Sequence, residues 1–374
     1  MKRVIGLILL ALGVMMLVLA PLLKFYVLPS AAKTPVDQYT ESTSNVVFEQ
    51  LLDPALVAAG DSDPYKRGVE ATQFVYVRGD VPAAEQPEAQ SQDLAIFDYF
   101  QRVNDNATGE LITAGTARYA FDRVTSELVD CCGASVDDEP VNMAGSILPV
   151  KFPFDVQQTE YQVFNTSTKT GVPFAFQGEE EKFGINTYVF TNEVPPTKVG
   201  TLEVPTSAVP GEDKDAEGNT VLDEMYSVTS TYWVDPVTGQ IVAGESTENS
   251  TFDLDGEPKL VKAIYTGTNG TQEGADDIAA LANQVKLLGS TLPLVLLVLG
   301  LVFLVIGLLL LRVATRTRGP QPRTRISSQP PVRRALRRRC STTRARSPTA
   351  PPDPQPPQRK GRSAYQGRPP LRYA

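Results

Sequence analysis

Two short stretches of this 374-residue chain hold side chains whose types and spacing suit chemistry. Cys131 and Cys132 are neighbours, and Gly133 follows them. In an oxidising compartment adjacent cysteines can close a vicinal disulfide, and a glycine beside them suits a tight turn. Two free thiols packed at a strand end, or a bridge to a second chain, are the alternatives. The second stretch runs from Asp213 to Glu224. Asp213, Asp215, Glu217 and Glu224 fall at positions 1, 3, 5 and 12 of an EF-hand calcium loop, with Gly218 at position 6. Thr220 stands at position 8, where an aliphatic residue is expected. Pro210-Gly211 and a strand pattern flank the stretch where helices should be. A solvated acidic hairpin loop is the reading preferred, so no cofactor is expected, and calcium at this loop is the one alternative.

Other chemistry is excluded by composition. The chain has no histidine, which removes Ser-His-Asp and Cys-His catalysis and every His-ligated metal site. Its third cysteine, Cys340, is remote, so no disulfide framework or four-cysteine zinc site can be built. Paired carboxylates run glycoside hydrolysis in some enzymes, but among acids this numerous pairs arise by chance. Trp233 is the sole tryptophan available as a sugar platform. No catalytic residue is assigned and no enzyme is expected.

The elements that would position these residues read as β. Runs rich in Val, Phe, Tyr and Ile cover residues 45–52, 73–77, 94–103, 111–121, 159–164, 185–191, 225–234 and 260–266. Turn signals separate them at Asn106-Ala-Thr-Gly, Lys169-Thr-Gly, Val237-Thr-Gly and Asp255-Gly. Pro195-Pro196 should keep its segment out of any central strand. The stretch from Tyr119 to Val129 aligns with that from Tyr232 to Val242, sharing Tyr, Asp, Val, Thr and the final Val. Two readings fit: a duplicated module, or two hairpins built on one favourable Asp-led turn. The fold class expected is a mainly β ectodomain, sandwich- or barrel-like, with two related modules as an option.

Two apolar runs bracket that domain. Leu292 to Leu311 is uncharged and, at about 1.5 Å per residue, spans a hydrocarbon core of roughly 30 Å. Residues 1–24 begin Met-Lys-Arg and run apolar from Val4 to Leu23, longer than a cleaved signal needs, so an uncleaved signal anchor is expected. From Arg312 onward there are 17 Lys+Arg and one acid, Asp353, and such residues stay cytoplasmic. The expected topology is therefore two-pass in the plasma membrane, both termini inside. Residues 25–270 form an extracytoplasmic β-rich domain, 271–291 a juxtamembrane helix, and 312–374 a disordered Arg/Pro-rich tail. The helix reading rests on Ile278, Leu281, Ala282 and Val285, which share one stripe. Between residues 25 and 291 there are 15 basic and 42 acidic residues, which repel nucleic acid.

Several stretches together resemble the actinobacterial porin PorA family. They are Cys131-Cys132-Gly133, Phe152-Pro153-Phe154, the stretch Val194-Pro-Pro-Thr-Lys-Val-Gly200, the stretch Trp233-Val-Asp-Pro-Val-Thr-Gly239 and the terminal pair of membrane helices. The resemblance covers roughly residues 1 to 312 and implies an actinobacterial cell envelope. It carries over no catalytic residue. An outer-membrane barrel has no retained helical anchor, and neither apolar run has a polar stripe, so a channel is expected only from an oligomer. The function expected is a non-enzymatic envelope protein. It would bind or hand over a lipid or glycolipid, or scaffold envelope biogenesis. A carboxylate enzyme on envelope glycans and an oligomeric channel are the alternatives. The expected partners are the membrane, an envelope lipid or glycolipid, and envelope-biogenesis proteins.

Overall fold

A computed structural model describes residues 2–59, 61, 63–213 and 217–316. The tail beyond Arg316, and with it the expected disorder, lies outside the described residues. One antiparallel sheet dominates. Its strands are β1 (Tyr39–Leu52), β2 (Tyr65–Lys66), β3 (Val69–Gly79), β4 (Leu94–Asp105), β5 (Leu111–Asp122), β6 (Ser135–Val136), β7 (Glu139–Pro140), β8 (Tyr161–Asn165), β9 (Thr170–Lys182), β10 (Ile185–Pro205), β11 (Asn219–Val234), β12 (Ile241–Leu254) and β13 (Glu257–Asn269). Their order is β7-β6-β5-β4-β3-β1-β13-β12-β11-β10-β9-β8, with β2 beside β1. Consecutive strands are neighbours almost throughout, as short hairpin turns require. The two ends of the chain meet where β1 pairs β13.

The sheet curls until its edges nearly join. Phe121 bridges Leu128, Glu127 bridges Ile147, and Ile147 bridges Val163 of β8. Backbone bonds from Leu128 to Ser146 (2.8 Å), Ile147 to Gln162 (2.7 Å) and Phe164 to Ile147 (3.1 Å) complete this seam. A closed base results, and it is solid. Tyr119, Phe121, Leu148, Phe152 and Phe190 are buried there, and the Tyr119 ring meets Phe164 from the opposite edge at 6.4 Å. Away from the base the sheet stays open between β5 and the far half of β10. Small clusters occupy its outer reaches, such as Val46, Phe48, Ala71, Val103 and Ala263. This is one continuous sheet.

The Tyr119 and Tyr232 stretches do form like turns. Asp122 Oδ1 accepts from Val124 N (2.8 Å) and Thr125 N (2.7 Å), and Asp235 Oδ2 accepts from Thr238 N (2.8 Å) and Thr238 Oγ1 (2.6 Å). Residue five of each turn takes a left-handed backbone: Ser126 at φ 58°, Gly239 at φ 73°. The same device recurs at Asp105, with Thr108 and Gly109, and at Asn165, with Thr168 and Lys169. Four copies, two of them outside any 113-residue period, are explained by turn chemistry without duplication.

Pro195-Pro196 lie inside β10 but away from any centrally paired segment, in keeping with the expectation. The register of β10 on β11 slips between Val194 and Thr197, so the prolines sit in an irregularity. On the other side β9 pairs β10 only from Ile185 to Thr191, so beyond that point β10 is an edge. Proline tolerates both settings because no ladder donor is needed there. Strands β9 and β12 were not expected from the sequence. Their Glu179-Glu180-Glu181 and Gly244-Glu-Ser-Thr-Glu-Asn-Ser-Thr251 stretches lack the aliphatic pattern; β10 holds the first in place from one side, and β11 and β13 hold the second from both.

Helices carry the chain beyond the sheet. α1 (Lys2–Leu22) continues through a π-turn (Leu23–Val27) into α2 (Leu28–Ala31). Short α3 (Pro54–Ala58), α4 (Val81–Ala84) and α5 (Pro87–Ser91) follow Asp53, Asp80 and Gln86, each with Pro in its first turn. α6 (Gln272–Lys286) is capped by Thr271, whose hydroxyl accepts from Gly274 N at 3.1 Å. Its Ala275 and Ile278 are buried with Val242, beside Ile185. α6 passes through a second π-turn (Leu287–Thr291) into α7 (Leu292–Arg316), so the expected juxtamembrane and membrane helices are one rod. α1 and α7 pack antiparallel. Glycines meet at the contact, Gly6 against Gly307 and Gly13 against Gly300: a Cβ on Gly13 would lie 2.8 Å from the Gly300 carbonyl oxygen. Close backbone approach replaces hydrophobic drive where helices share an apolar solvent.

Candidate functional site

Above the solid base the inner face turns polar. Alternation along each strand puts Glu248 of β12 directly beside Tyr265 of β13, because the two are register partners. Tyr265 Oη donates to Glu248 Oε2 at 2.6 Å, and Ser250 Oγ donates to Glu248 Oε1 at 3.2 Å. Tyr226, the register partner of Ser250 on β11, also reaches the Glu248 carboxyl. Asn165 Nδ2 of β8 donates to Tyr226 Oη at 3.3 Å. On the opposite wall Tyr99 Oη and Gln73 Nε2 both donate to Gln101 Oε1, at 2.8 and 2.9 Å.

Curling makes this a single site. On a flat sheet β4 and β11 would stand five strand spacings apart, roughly 24 Å. Here Tyr99 of β4 is close enough to Tyr232 of β11 and Tyr265 of β13 for their phenols to act on one another's charge. Ring contacts tie the site to its surroundings: Phe48 to Tyr265 at 5.0 Å, Phe174 stacked on Tyr232 at 4.8 Å, and Tyr99 edge-on to Tyr119 at 6.0 Å. The Tyr119 hydroxyl is buried and has no hydrogen-bond partner among the described residues.

Enclosure sets the electrostatics. Burial pushes the Glu248 carboxyl above the usual carboxylate range, while the hydrogen bonds from Tyr265 and Ser250 and the Lys262 charge pull it back. Burial holds the Tyr99, Tyr119, Tyr226, Tyr232 and Tyr265 phenols above their ordinary values, so all stay protonated near neutrality. Glu248, Tyr99, Tyr232 and Tyr265 are nevertheless only half-buried by surface, so solvent reaches them inside the fold. Phenol faces, hydroxyls, three amides and one carboxyl converge there. They can hold a neutral polar molecule by stacking and hydrogen bonds. Lys151 lies in the base, with its amine donating to the Phe152 carbonyl oxygen at 2.9 Å and 4.0 Å over the Phe154 ring. Burial lowers that amine to about 7.

The residues singled out in the sequence lie elsewhere. Cys131 and Cys132 follow β5 with their sulfurs bonded to each other, at the outer face of β4 and β5 rather than inside. Asp213 and Glu217 are exposed between β10 and β11, and Asp215 lies outside the described residues. Glu224 stands five residues up β11 from Asn219, roughly 17 Å along the strand, and its carboxylate accepts from Lys262 Nζ. Among the described residues, the ligating side chains that converge are Glu88, Cys131 and Cys132 instead. The inner tyrosines had only one signal in the sequence, Tyr119 and Tyr232 at equal offsets before their turns. Glu248 had none, since a glutamate among serines and threonines looks like any solvated strand.

The sequence profile described as Porin PorA matches residues 5–309. Two curated relatives are both called Porin PorA. One, from Corynebacterium resistens, is 23% identical over 314 residues, covering 66% of this chain and 76% of the relative. The other, from Corynebacterium amycolatum, is 22% identical over 295 residues, covering 65% and 76%. The match includes both apolar helices, the whole sheet and the cysteine pair, so this membrane-associated chain belongs to the porin PorA family.

Proposed function

We propose that this chain is a doubly anchored, non-enzymatic envelope protein whose curled sheet binds the polar part of an envelope glycolipid or glycan. One observation carries the reading: the Glu248, Tyr265, Tyr226 and Tyr99 constellation makes the middle of the sheet polar and solvent-reached above a filled base. Sugars present hydroxyls to such donors and acceptors and C–H faces to phenol rings. An acyl chain suits this interior less, because Glu248 would be left in contact with hydrocarbon.

Topology supports the same reading. α1 enters and α6 leaves at the same end of the sheet, where Lys33 is paired with Asp93 and Gln272 Nε2 donates to the Phe183 carbonyl oxygen. With both apolar helices in the membrane, that end faces the bilayer and the β10–β11 hairpin reaches away. The two-pass arrangement with both termini cytoplasmic fits the antiparallel glycine contact and the basic tail.

The test is native mass spectrometry of full-length protein purified in mild detergent from an actinobacterial membrane. A co-purifying glycolipid or glycan, lost or at least tenfold depleted in Glu248→Gln/Tyr265→Phe, is the expected result. Protein without such a cargo, or cargo indifferent to that double variant, rejects the reading. The relatives' name favours a second reading, a channel. The apolar helices α1 and α7 offer no polar face, so conduction would need several helix pairs. Ion conductance by the purified protein in planar bilayers would establish it.

A further inference from the structure

Glu88 and the adjacent cysteines come from separate pieces of chain and meet outside the curled interior. Glu88 is exposed on α5, whose Ala89 is fully buried against Leu94, Ile96 and Ala120. Cys131 and Cys132 pack against the same cluster from the loop after β5. Cys132 at φ 61° and Gly133 at φ 82° fold that loop back on itself. Arg118 holds it there, donating from Nε to the Cys132 carbonyl oxygen at 3.2 Å. The guanidinium is fixed in turn by Asp80 at 2.6 Å and Asp98 at 2.5 Å, and Asp80 caps α4 through Ala83 N at 3.1 Å. Both sulfurs and a Glu88 carboxylate oxygen lie within 4.8 Å of one another.

Besides the packing of the cysteines on that cluster, the Ala89 anchor, the Arg118 bond to the Cys132 carbonyl oxygen and the Asp80 cap hold the three residues in place without using sulfur. We propose that the reduced pair, together with Glu88, is a site for one thiophilic divalent cation of the Zn2+ class. A dithiol reductant supplies two electrons and two protons, cleaves the bond to two thiols and is itself oxidised to a disulfide. The cation then displaces both thiol protons to solvent. Two thiolates and one carboxylate fill three tetrahedral positions and leave the fourth to water. Thiolates select a soft cation, whereas calcium requires an all-oxygen set. Bonded sulfurs are not thiolates, so metal and disulfide exclude each other and the site reports the redox state around it.

The experiment uses full-length protein carrying Cys340→Ser, in mild detergent. It is reduced with a phosphine, freed of reductant without air, and titrated with Cd2+ while sulfur-to-metal absorbance is read. One Cd2+ per chain is expected. Cys131→Ser and Cys132→Ser should abolish the signal, Glu88→Gln should weaken binding about tenfold or more, and air-oxidised protein should show none. Absence of a charge-transfer band in the reduced protein overturns the proposal. So does a band that persists in the Cys131→Ser/Cys132→Ser double variant, or an affinity unchanged by Glu88→Gln. Glu88 is exposed, so its variant keeps the fold, and thermal melting confirms that independently.

Discussion

At Glu248 one carboxyl is hydrogen-bonded by Tyr265 and Ser250 and reached by Tyr226, and its protonation is coupled to folding. An unfolded glutamate titrates near about 4.3, and burial raises the folded value. Between those two values the folded state binds more protons, so this group's contribution to stability falls as pH rises across the window. Glu248→Gln removes that slope. The melting temperature of wild type relative to Glu248→Gln should be highest below about pH 4 and decline as pH rises through the folded value. A pH-independent difference rejects a buried titrating carboxyl. Lys151 gives the complementary case. Its amine, lowered to about 7, is mostly neutral at pH 8, where exposed lysines are charged. Competitive acylation read by mass spectrometry should find Lys151 modified ahead of Lys198 or Lys262 at pH 8, with the advantage shrinking at pH 6.

The repeated turn ranks its own copies at the scale of elements. Asp235 and Thr238 are buried and Asp122 is partly exposed, so Asp235→Ala should cost about 1–3 kcal/mol and Asp122→Ala about half as much. Gly239 is stricter, because at φ 73° a Cβ would sit 2.2 Å from the Phe152 carbonyl oxygen. Gly239→Ala should cost at least about 3 kcal/mol by denaturant or thermal melting, since neither backbone can give way cheaply. The helix pair obeys the same steric argument. Gly13→Leu or Gly300→Leu forces α1 from α7 and should lower the melting temperature in detergent, at about 1–3 kcal/mol for overpacking. Val18→Leu, on the exposed side of α1, should do nothing measurable.

For the whole molecule the decisive quantity is sidedness. In the proposed two-pass arrangement the antiparallel helices α1 and α7 return the chain to the side on which it began. A membrane-impermeant maleimide should therefore miss Cys340 in intact cells and label it after permeabilisation. A cysteine placed at exposed Thr247 on β12 should label in both conditions. Cys340 labelling from outside would overturn the two-pass arrangement and move the curled sheet to the other compartment. The same arrangement explains why one sheet can be both anchored and open. Its closed, filled base lies where both helices attach, and its polar interior faces away from them.

The sequence by itself determined what depends on local pattern. Twenty uncharged residues from Leu292 dictate a membrane-length helix whatever they pack against. Alternating Val, Tyr and Phe dictated most of the strands, and Asp-x-x-Thr dictated its turns through a side chain bonding its own backbone. Tertiary structure decided whatever depends on partners distant in the chain. β12 is a strand because β11 and β13 supply its hydrogen bonds, and β9 because β8 pairs its first part and β10 the rest, which no aliphatic pattern announces. Pro195-Pro196 fits within a long strand only because β9 stops short, leaving an edge, and the register slips. The candidate site was the least legible part. Curling brings Tyr99 towards Tyr232 across 133 residues of chain, and packing of α5 on the outer face of β4 and β5 brings Glu88 towards Cys131 across 43. A carboxylate's meaning changes from solvated surface to enclosed ligand group only when the sheet closes around it.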